Sequence, residues 1–151
     1  MLVPMETRSI SYAYATSVAW TEQRMGVASV AGKPDLQVAT PPEFKGHPGI
    51  WSPEDLYVAA VNTCLMTTFL ALAEKSRLEL ASYSSEAEGR LELADARLRF
   101  TSVVLRPHVV VSDPSKVSAA QELLHKAEAN CLVSSSITAK VTLEPHVSSK
   151  G

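Results

Sequence analysis

Two cysteines carry most of the reactive chemistry that this sequence offers. Cys64 and Cys131 are the only ones in the chain. A cysteine can be a buried apolar side chain, a metal ligand or, as its thiolate, a nucleophile. Residues 1–20 contain no continuous apolar run, so we expect no signal peptide. The protein is therefore predicted to be cytoplasmic, where reduced thiols are more common than permanent disulfides.

The predicted helices place the two thiols in different electrostatic surroundings. Cys64 lies well inside the first helix, beyond the first turn to which the effect of the helix dipole is confined. A reactive Cys64 therefore needs a nearby cation, and an arginine is the expected one. Cys131 ends the second helix, where the dipole disfavours a thiolate, which suits a resolving cysteine better than an attacking one. The structural alternative is a small core side chain at Cys64 and a buried helix-end residue at Cys131.

Composition and charge restrict the class of protein. Of the 151 residues, 46% are hydrophobic and 20% charged, and the net charge is −2. These values predict a single globular domain over residues 1–151, with no nucleic-acid partner and no membrane partner. The most apolar run, residues 56–73, is interrupted by polar residues and bracketed by charges, which favours a core helix. The four histidines have no metal-ligand spacing, so neither a metal nor another cofactor is predicted.

Hydrophobic alternation and turn residues predict an α+β fold of order βββ-α-ββ-α-β, with antiparallel sheets around a long central helix. The predicted strands cover residues 7–19, 27–31, 36–39, 83–93, 98–111 and 137–143. The helices begin at Ser52-Pro53 and Asp113-Pro114, where a capping residue precedes a proline, and they end near Arg77 and Asn130.

Both cysteines lie in recognisable motifs. The segment 51–64, WSPEDLYVAAVNTC, combines a Pro-Glu helix start with a cysteine ten residues after the glutamate. The segment 128–137, EANCLVSSSI, surrounds the second cysteine, and DLQVATP at 35–41 precedes the linker to the first helix. These motifs and their order resemble the OsmC/Ohr family of osmotically inducible and organic hydroperoxide resistance proteins, over nearly the whole chain. In that family proline usually follows the second cysteine, whereas here Leu132 does.

The resemblance implies an intertwined homodimer and an antioxidant, thiol-dependent peroxidase of the oxidative stress response. Such an enzyme reduces organic hydroperoxides to alcohols without metal or haem. It implies that Cys64 attacks the peroxide and becomes a sulfenic acid, and that Cys131 condenses with it to a disulfide. The implied reductant of that disulfide is a lipoyl-type dithiol.

The family also pairs its reactive cysteine with an arginine that a glutamate orients. The glutamate corresponds to Glu54, about 15 Å along the helix axis from Cys64 and about 80° around it. The two therefore serve one site only if the helix start bends or if Glu54 serves a second subunit. The arginine corresponds to Arg24 after a shift of one residue, because direct counting aligns Gln23. Other arginines without motif support are Arg8, Arg90, Arg97, Arg99 and Arg106.

A second function remains open from sequence. The chain could be a non-peroxidase dimer that binds a small apolar or thiol ligand, with its cysteines kept reduced. The candidate lining residues of its pocket are Trp51, Tyr57, Met66 and Phe69. Each of them could instead pack in the core.

Overall fold

The computed structural model describes residues 9–151 and divides the chain into two compact units that adjoin in sequence between Pro53 and Glu54. In the first unit, three strands form an antiparallel sheet in the order β1-β2-β3. The strands are β1 (Ser17–Glu22), β2 (Met25–Ser29) and β3 (Leu36–Ala39). The prediction of one domain over residues 1–151 stays a prediction.

The first strand begins later than predicted. Residues 9–16 keep the alternation of apolar side chains but carry no strand assignment, and β1 starts at Ser17. Alternation only reports that one face of a segment is apolar, and a strand also needs a neighbouring strand to accept its hydrogen bonds. The prediction of a strand over residues 7–19 is thus wrong for residues 9–16, and Thr7 and Arg8 lie outside the described residues.

The second unit, from Glu54 onward, holds nearly all of helix α1 and the remaining elements. They are α1 (Pro53–Lys75), β4 (Leu80–Ala94), β5 (Arg97–Val111), α2 (Val117–Ala129), β6 (Lys140–Leu143) and β7 (His146–Ser149). A single 3₁₀ turn precedes α2 at Pro114–Lys116 and another follows it at Ser134–Ser136. The α+β class and the predicted element order are confirmed, with β7 as an additional short strand.

The direction of the last strands differs from the prediction. β4 and β5 form an antiparallel hairpin as expected, but β6 and β7 both pair parallel to β5. Parallel neighbours need a crossover of a dozen or more residues, and α2 with its flanking turns is that crossover. The all-antiparallel prediction is therefore wrong for β6 and β7, because it did not treat β5-α2-β6 as a crossover unit.

The core of the second unit lies between the two helices and β5. Helix α1 contributes Val61, Leu65 and Phe69, and the buried face of β5 alternates from Val103 to Val111. The fully buried side chains of α1 recur every four residues and so lie on one side of the helix. Apolar residues occupy its other sides as well.

Gly89 of β4 shows how closely the hairpin approaches α1. A Cβ atom at this position would lie 2.5 Å from Cγ2 of Val58 and 3.0 Å from the ring of Phe100. The ring of Tyr57 stacks on Phe100 at a centroid separation of 4.2 Å, so the neighbouring side chains are themselves confined. Glycine is needed here because there is no room for a side chain.

We therefore expect Gly89→Ala to lower the free energy of unfolding by about 1–3 kcal/mol, because α1 and the hairpin must separate to admit a methyl group. Urea unfolding followed by circular dichroism measures this. The control is Glu86→Ala, at an exposed position of the same strand, which should change the value by less than about 0.5 kcal/mol. Equal midpoints for the two variants would contradict the close packing of Gly89.

Candidate active site: two thiols and the turn after the second helix

Cys64 lies near the middle of α1, beside the buried side of the helix. It precedes the buried Leu65 and is half-buried itself. One turn further on the same side, the hydroxyl of Thr68 is 3.9 Å from the Cys64 sulfur. The thiol is therefore held at the boundary between the core and the helix surface.

Cys131 is placed by the apolar stripe of α2. The buried residues of this helix, Ala120, Leu124 and Ala127, follow at intervals of four and three, and Cys131 is the next position of that series. It comes two residues after the helix ends, yet it is only 1% exposed. Its N–H donates to the carbonyl of Glu128 at 3.2 Å and its carbonyl accepts from the N–H of Ser135 at 3.1 Å, so its backbone is fixed on both sides.

The two cysteines are free thiols that lie near enough to shift each other's pKa, which their separation in the sequence did not reveal. Burial of Cys64 raises its pKa, but the hydrogen bonds that its sulfur accepts outweigh this effect and lower the pKa below the ordinary range. The donors are the thiol of Cys131, the N–H of Val133, the hydroxyl of Thr68 and the N–H of Leu132.

Cys131 shows the opposite shift. Burial raises the pKa of its thiol, and the neighbouring Cys64 raises it further, against a smaller lowering by Ser134. When the pair carries a single negative charge, these opposite shifts favour that charge on Cys64 and the proton on Cys131. This arrangement can present a nucleophilic sulfur beside a neutral thiol.

Sequence reasoning missed the donors that lower the pKa of Cys64. It expected a cation because the dipole of α1 does not extend to mid-helix, but the donors named above are neutral groups. Three of them belong to consecutive residues, Cys131, Leu132 and Val133. Every residue type except proline has a peptide N–H, so the residue types could not indicate these groups. Only the position of residues 131–133 directly after α2 could have suggested their effect on Cys64.

The structure places Arg24 in the first unit, in the turn between β1 and β2. Its guanidinium donates to the carbonyl of Phe44 at 2.6 Å, and its own carbonyl accepts from the N–H of Thr40 at 3.2 Å. The residue beside it, Gln23, has a positive φ of 48°, which the tight turn requires. Arg24 also lines an open groove of about 460 Å³ whose other walls include Trp20, Met25 and Val38.

Glu54 lies in the first turn of α1 and carries an unusual oxygen. Its Oε2 atom is buried, and among the described residues it has no hydrogen-bond partner. A buried carboxylate oxygen without a donor is costly, so this atom marks a position where a donor is missing.

The other residues considered from sequence have structural roles. Phe69 is fully buried and packs near Tyr83, and Tyr57 stacks on Phe100, so both belong to the core packing and not to a pocket. Trp51 is 48% exposed. Three strand arginines form surface ion pairs with carboxylates, namely Arg90, Arg99 and Arg106, and Arg8 lies outside the described residues.

The fold and the paired thiols define the class, an α+β protein with a two-cysteine centre. The sequence profile described as OsmC-like protein matches residues 46–146, so the chain belongs to the OsmC-like family. A curated relative, the uncharacterised protein YmaD of Bacillus subtilis, is 29% identical over 135 residues, which cover 87% of this chain and 90% of YmaD.

Solved structures agree with this assignment. An OsmC-like protein of unknown function from Vibrio cholerae is 26% identical, with a TM-score of 0.83 over 89% of this chain and 99% of that chain. An organic hydroperoxide resistance protein, OsmC, from Legionella pneumophila is 24% identical, with a TM-score of 0.71 over 93% and 99% of the two chains, which shows the shared fold. α1 is long and apolar enough to cross a membrane by length and composition, and in this fold its residues Val61, Leu65 and Phe69 lie in the core.

The opposite pKa shifts predict that the two thiols titrate in a fixed order. Because the pKa of Cys64 is lowered and that of Cys131 raised, iodoacetamide should modify Cys64 first at neutral pH, and its rate should level off at a lower pH than that of Cys131. Differential labelling from pH 5 to 10, with the two cysteine peptides quantified by mass spectrometry, measures both profiles. Faster labelling of Cys131 at neutral pH would contradict the assigned order.

Proposed function

We propose that this protein is a thiol-dependent peroxidase that reduces organic hydroperoxides to alcohols, with Cys64 as the attacking thiol and Cys131 as the resolving thiol. The observation that carries the proposal is that two free thiols influence each other, with the pKa of Cys64 lowered and that of Cys131 raised. Membership of a family that includes organic hydroperoxide resistance proteins supports it.

The chemistry balances over three steps. The Cys64 thiolate attacks the terminal oxygen of ROOH, the O–O bond breaks, and the products are Cys64 sulfenic acid and an alkoxide that takes up a proton to become the alcohol. The Cys131 thiol then attacks the Cys64 sulfur, forming a disulfide and releasing water. A lipoyl-type dithiol reduces this disulfide by two thiol–disulfide exchanges and becomes a disulfide itself.

Arg24 and Glu54 are proposed to complete the site. The groove beside Arg24 has mainly apolar walls, which suits the organic part of a hydroperoxide, and a guanidinium can stabilise negative charge on sulfur or on the leaving oxygen. The buried Glu54 Oε2 without a partner suits a carboxylate that orients such a guanidinium. We also propose that the protein acts in the cytoplasm and that residues 1–151 form a single domain.

A homodimer is proposed as the active form, since proteins of this family are dimers. Ile10, Tyr12 and Tyr14 are 81%, 79% and 92% exposed. They alternate along a segment that carries no strand assignment, and α1 also has apolar residues away from its buried side. Apolar side chains exposed in this pattern are typical of a surface that a second subunit covers.

The peroxidase proposal is tested by comparing wild type with Cys64→Ser and Cys131→Ser in the consumption of cumene hydroperoxide with dihydrolipoamide. Wild type should turn over repeatedly. Cys64→Ser should lose at least 1,000-fold of the rate, because a hydroxyl is a far weaker nucleophile at neutral pH. Cys131→Ser should consume one equivalent and stop as the sulfenic acid, which mass spectrometry detects.

Two results would contradict the proposal: no peroxide consumption by wild type, or equal consumption by Cys64→Ser. The first result, together with tight binding of small thiols or apolar ligands to the wild-type dimer, would instead favour the ligand-binding alternative.

The dimer proposal is tested by sedimentation velocity. Wild type should sediment with a mass twice that of one chain, and Tyr14→Glu should raise the dissociation constant at least tenfold, because a carboxylate would be buried at the interface. Lys33→Glu, at an exposed position outside the apolar segment, is the control and should sediment as wild type does. A monomeric wild type at micromolar concentration would refute the homodimer.

A further inference from the structure

We propose that His108 and His146 form a binding site for a divalent transition-metal ion that bridges strands β5 and β7, with Zn²⁺ as the ion whose coordination geometry fits best. The two residues lie far apart in the sequence and have no metal-ligand spacing. The pairing of β5 with β7 brings them together. The site shares no residue with the two cysteines, so this inference does not depend on the proposed peroxidase function.

The two histidines lie directly opposite each other in the sheet. In the parallel pairing of β5 with β7, His108 is the Cα partner of His146. Their ring centroids are 5.4 Å apart, and the ring planes are inclined at 48°. Both residues are exposed, whereas their neighbours Val109 and Val147 belong to the core packing. Because side chains alternate along a strand, the two imidazoles lie on the outer face of the sheet, where an ion from solution reaches them.

The separation of the rings suits a shared metal ion. Zinc binds an imidazole nitrogen at about 2.0–2.1 Å, which places the ring centroid about 3.2 Å from the ion. At the tetrahedral angle of about 109°, two such centroids are about 5.2 Å apart. The observed separation of 5.4 Å is close to this value. The adjustment that remains is a rotation of each ring about χ2, which is a soft torsion in histidine.

The surroundings leave both rings available to a cation. Within residues 9–151, neither imidazole has a hydrogen bond or an ion pair. The preceding positions on the same face are Arg106 and Glu144, and the guanidinium is 3.0 Å from the Glu144 carboxylate and 3.5 Å from that of Glu88. The positive charge nearest to the histidines along β5 is therefore neutralised, so it does not repel a bound ion.

The two imidazoles are the protein ligands of the proposed site. In the part of the chain that the structure describes, no group of three or more metal-ligating side chains is present, so water completes the coordination. Such a site binds its ion reversibly. About half of the binding free energy of a four-ligand zinc site corresponds to a dissociation constant of about 1–200 µM.

The consequence for the fold is a stronger attachment of β7. This strand is four residues long and is hydrogen-bonded to β5, and short strands of this kind are prone to local opening. An ion bound to both His108 and His146 must leave one of them before β7 separates from β5. Zinc therefore disfavours the opening of β7 by the factor 1 + [Zn²⁺]/Kd.

Zinc binding is measured by isothermal titration calorimetry at pH 7 on the full-length chain without a polyhistidine tag. Cys64→Ser and Cys131→Ser are both introduced, because thiolates would compete for zinc. In this background, His108→Gln and His146→Gln each remove one imidazole. His125→Gln, at an exposed position of α2, is the matched control. Circular dichroism verifies the fold of each variant.

The background protein should bind Zn²⁺ at one site per chain. His108→Gln and His146→Gln should each weaken binding at least tenfold, because the second imidazole of a bidentate site binds at a high effective concentration. The affinity of His125→Gln should stay within about twofold of the background, since this side chain is not a ligand. No detectable binding by the background protein, or equal affinities of His108→Gln and His125→Gln, would overturn the proposal.

Nuclear magnetic resonance tests the bridge without removing a histidine. During the zinc titration, the ring resonances of His108 and His146 should shift along one binding curve, while those of His125 stay in place. At a zinc concentration of ten times Kd, the amides of β7 that are bonded to β5 should exchange about tenfold more slowly. Different binding curves for the two rings, or unchanged exchange in β7, would refute a bridging ion.

Discussion

The contact between the Cys64 sulfur and the segment that follows α2 is the interaction on which the chemistry of this protein depends. It joins two helices that are far apart in sequence, and it places one thiol against the other. Neither helix alone could make Cys64 acidic, because the dipole of α1 does not extend to its middle and the end of α2 repels negative charge. Only the combination brings Cys131 and the backbone of Leu132 and Val133 near enough to lower the pKa of Cys64.

This contact is itself a consequence of core packing. The buried side of α1 and the buried stripe of α2 both pack in the core formed with β5. Cys64 lies at the edge of the buried side of α1. Cys131 continues the buried stripe of α2 beyond the end of that helix. Since cores are close-packed, the positions of the two sulfurs are set by the same contacts that stabilise the unit. The two cysteines and the hydrophobic core are therefore positioned by the same packing.

The sequence predicted the elements better than their pairing. The proline starts of both helices and the alternation of β3, β4 and β5 have local causes, and these elements lie close to the predicted bounds. The direction of β6 and the absence of a strand at residues 9–16 depend on which chain segments lie side by side. Pairing of strands is a tertiary property, and hydrophobic alternation does not encode it.

For the site, the sequence by itself determined the chemical groups: two thiols, their unequal positions on two helices, and a family resemblance that the comparisons confirm. The tertiary structure decided which thiol carries the negative charge, because a pKa depends on burial and on the donors around the sulfur. The groups that lower the pKa of Cys64 are neutral. Peptide N–H groups occur at nearly every residue, so their effect on a pKa depends on which of them the fold brings near the thiol.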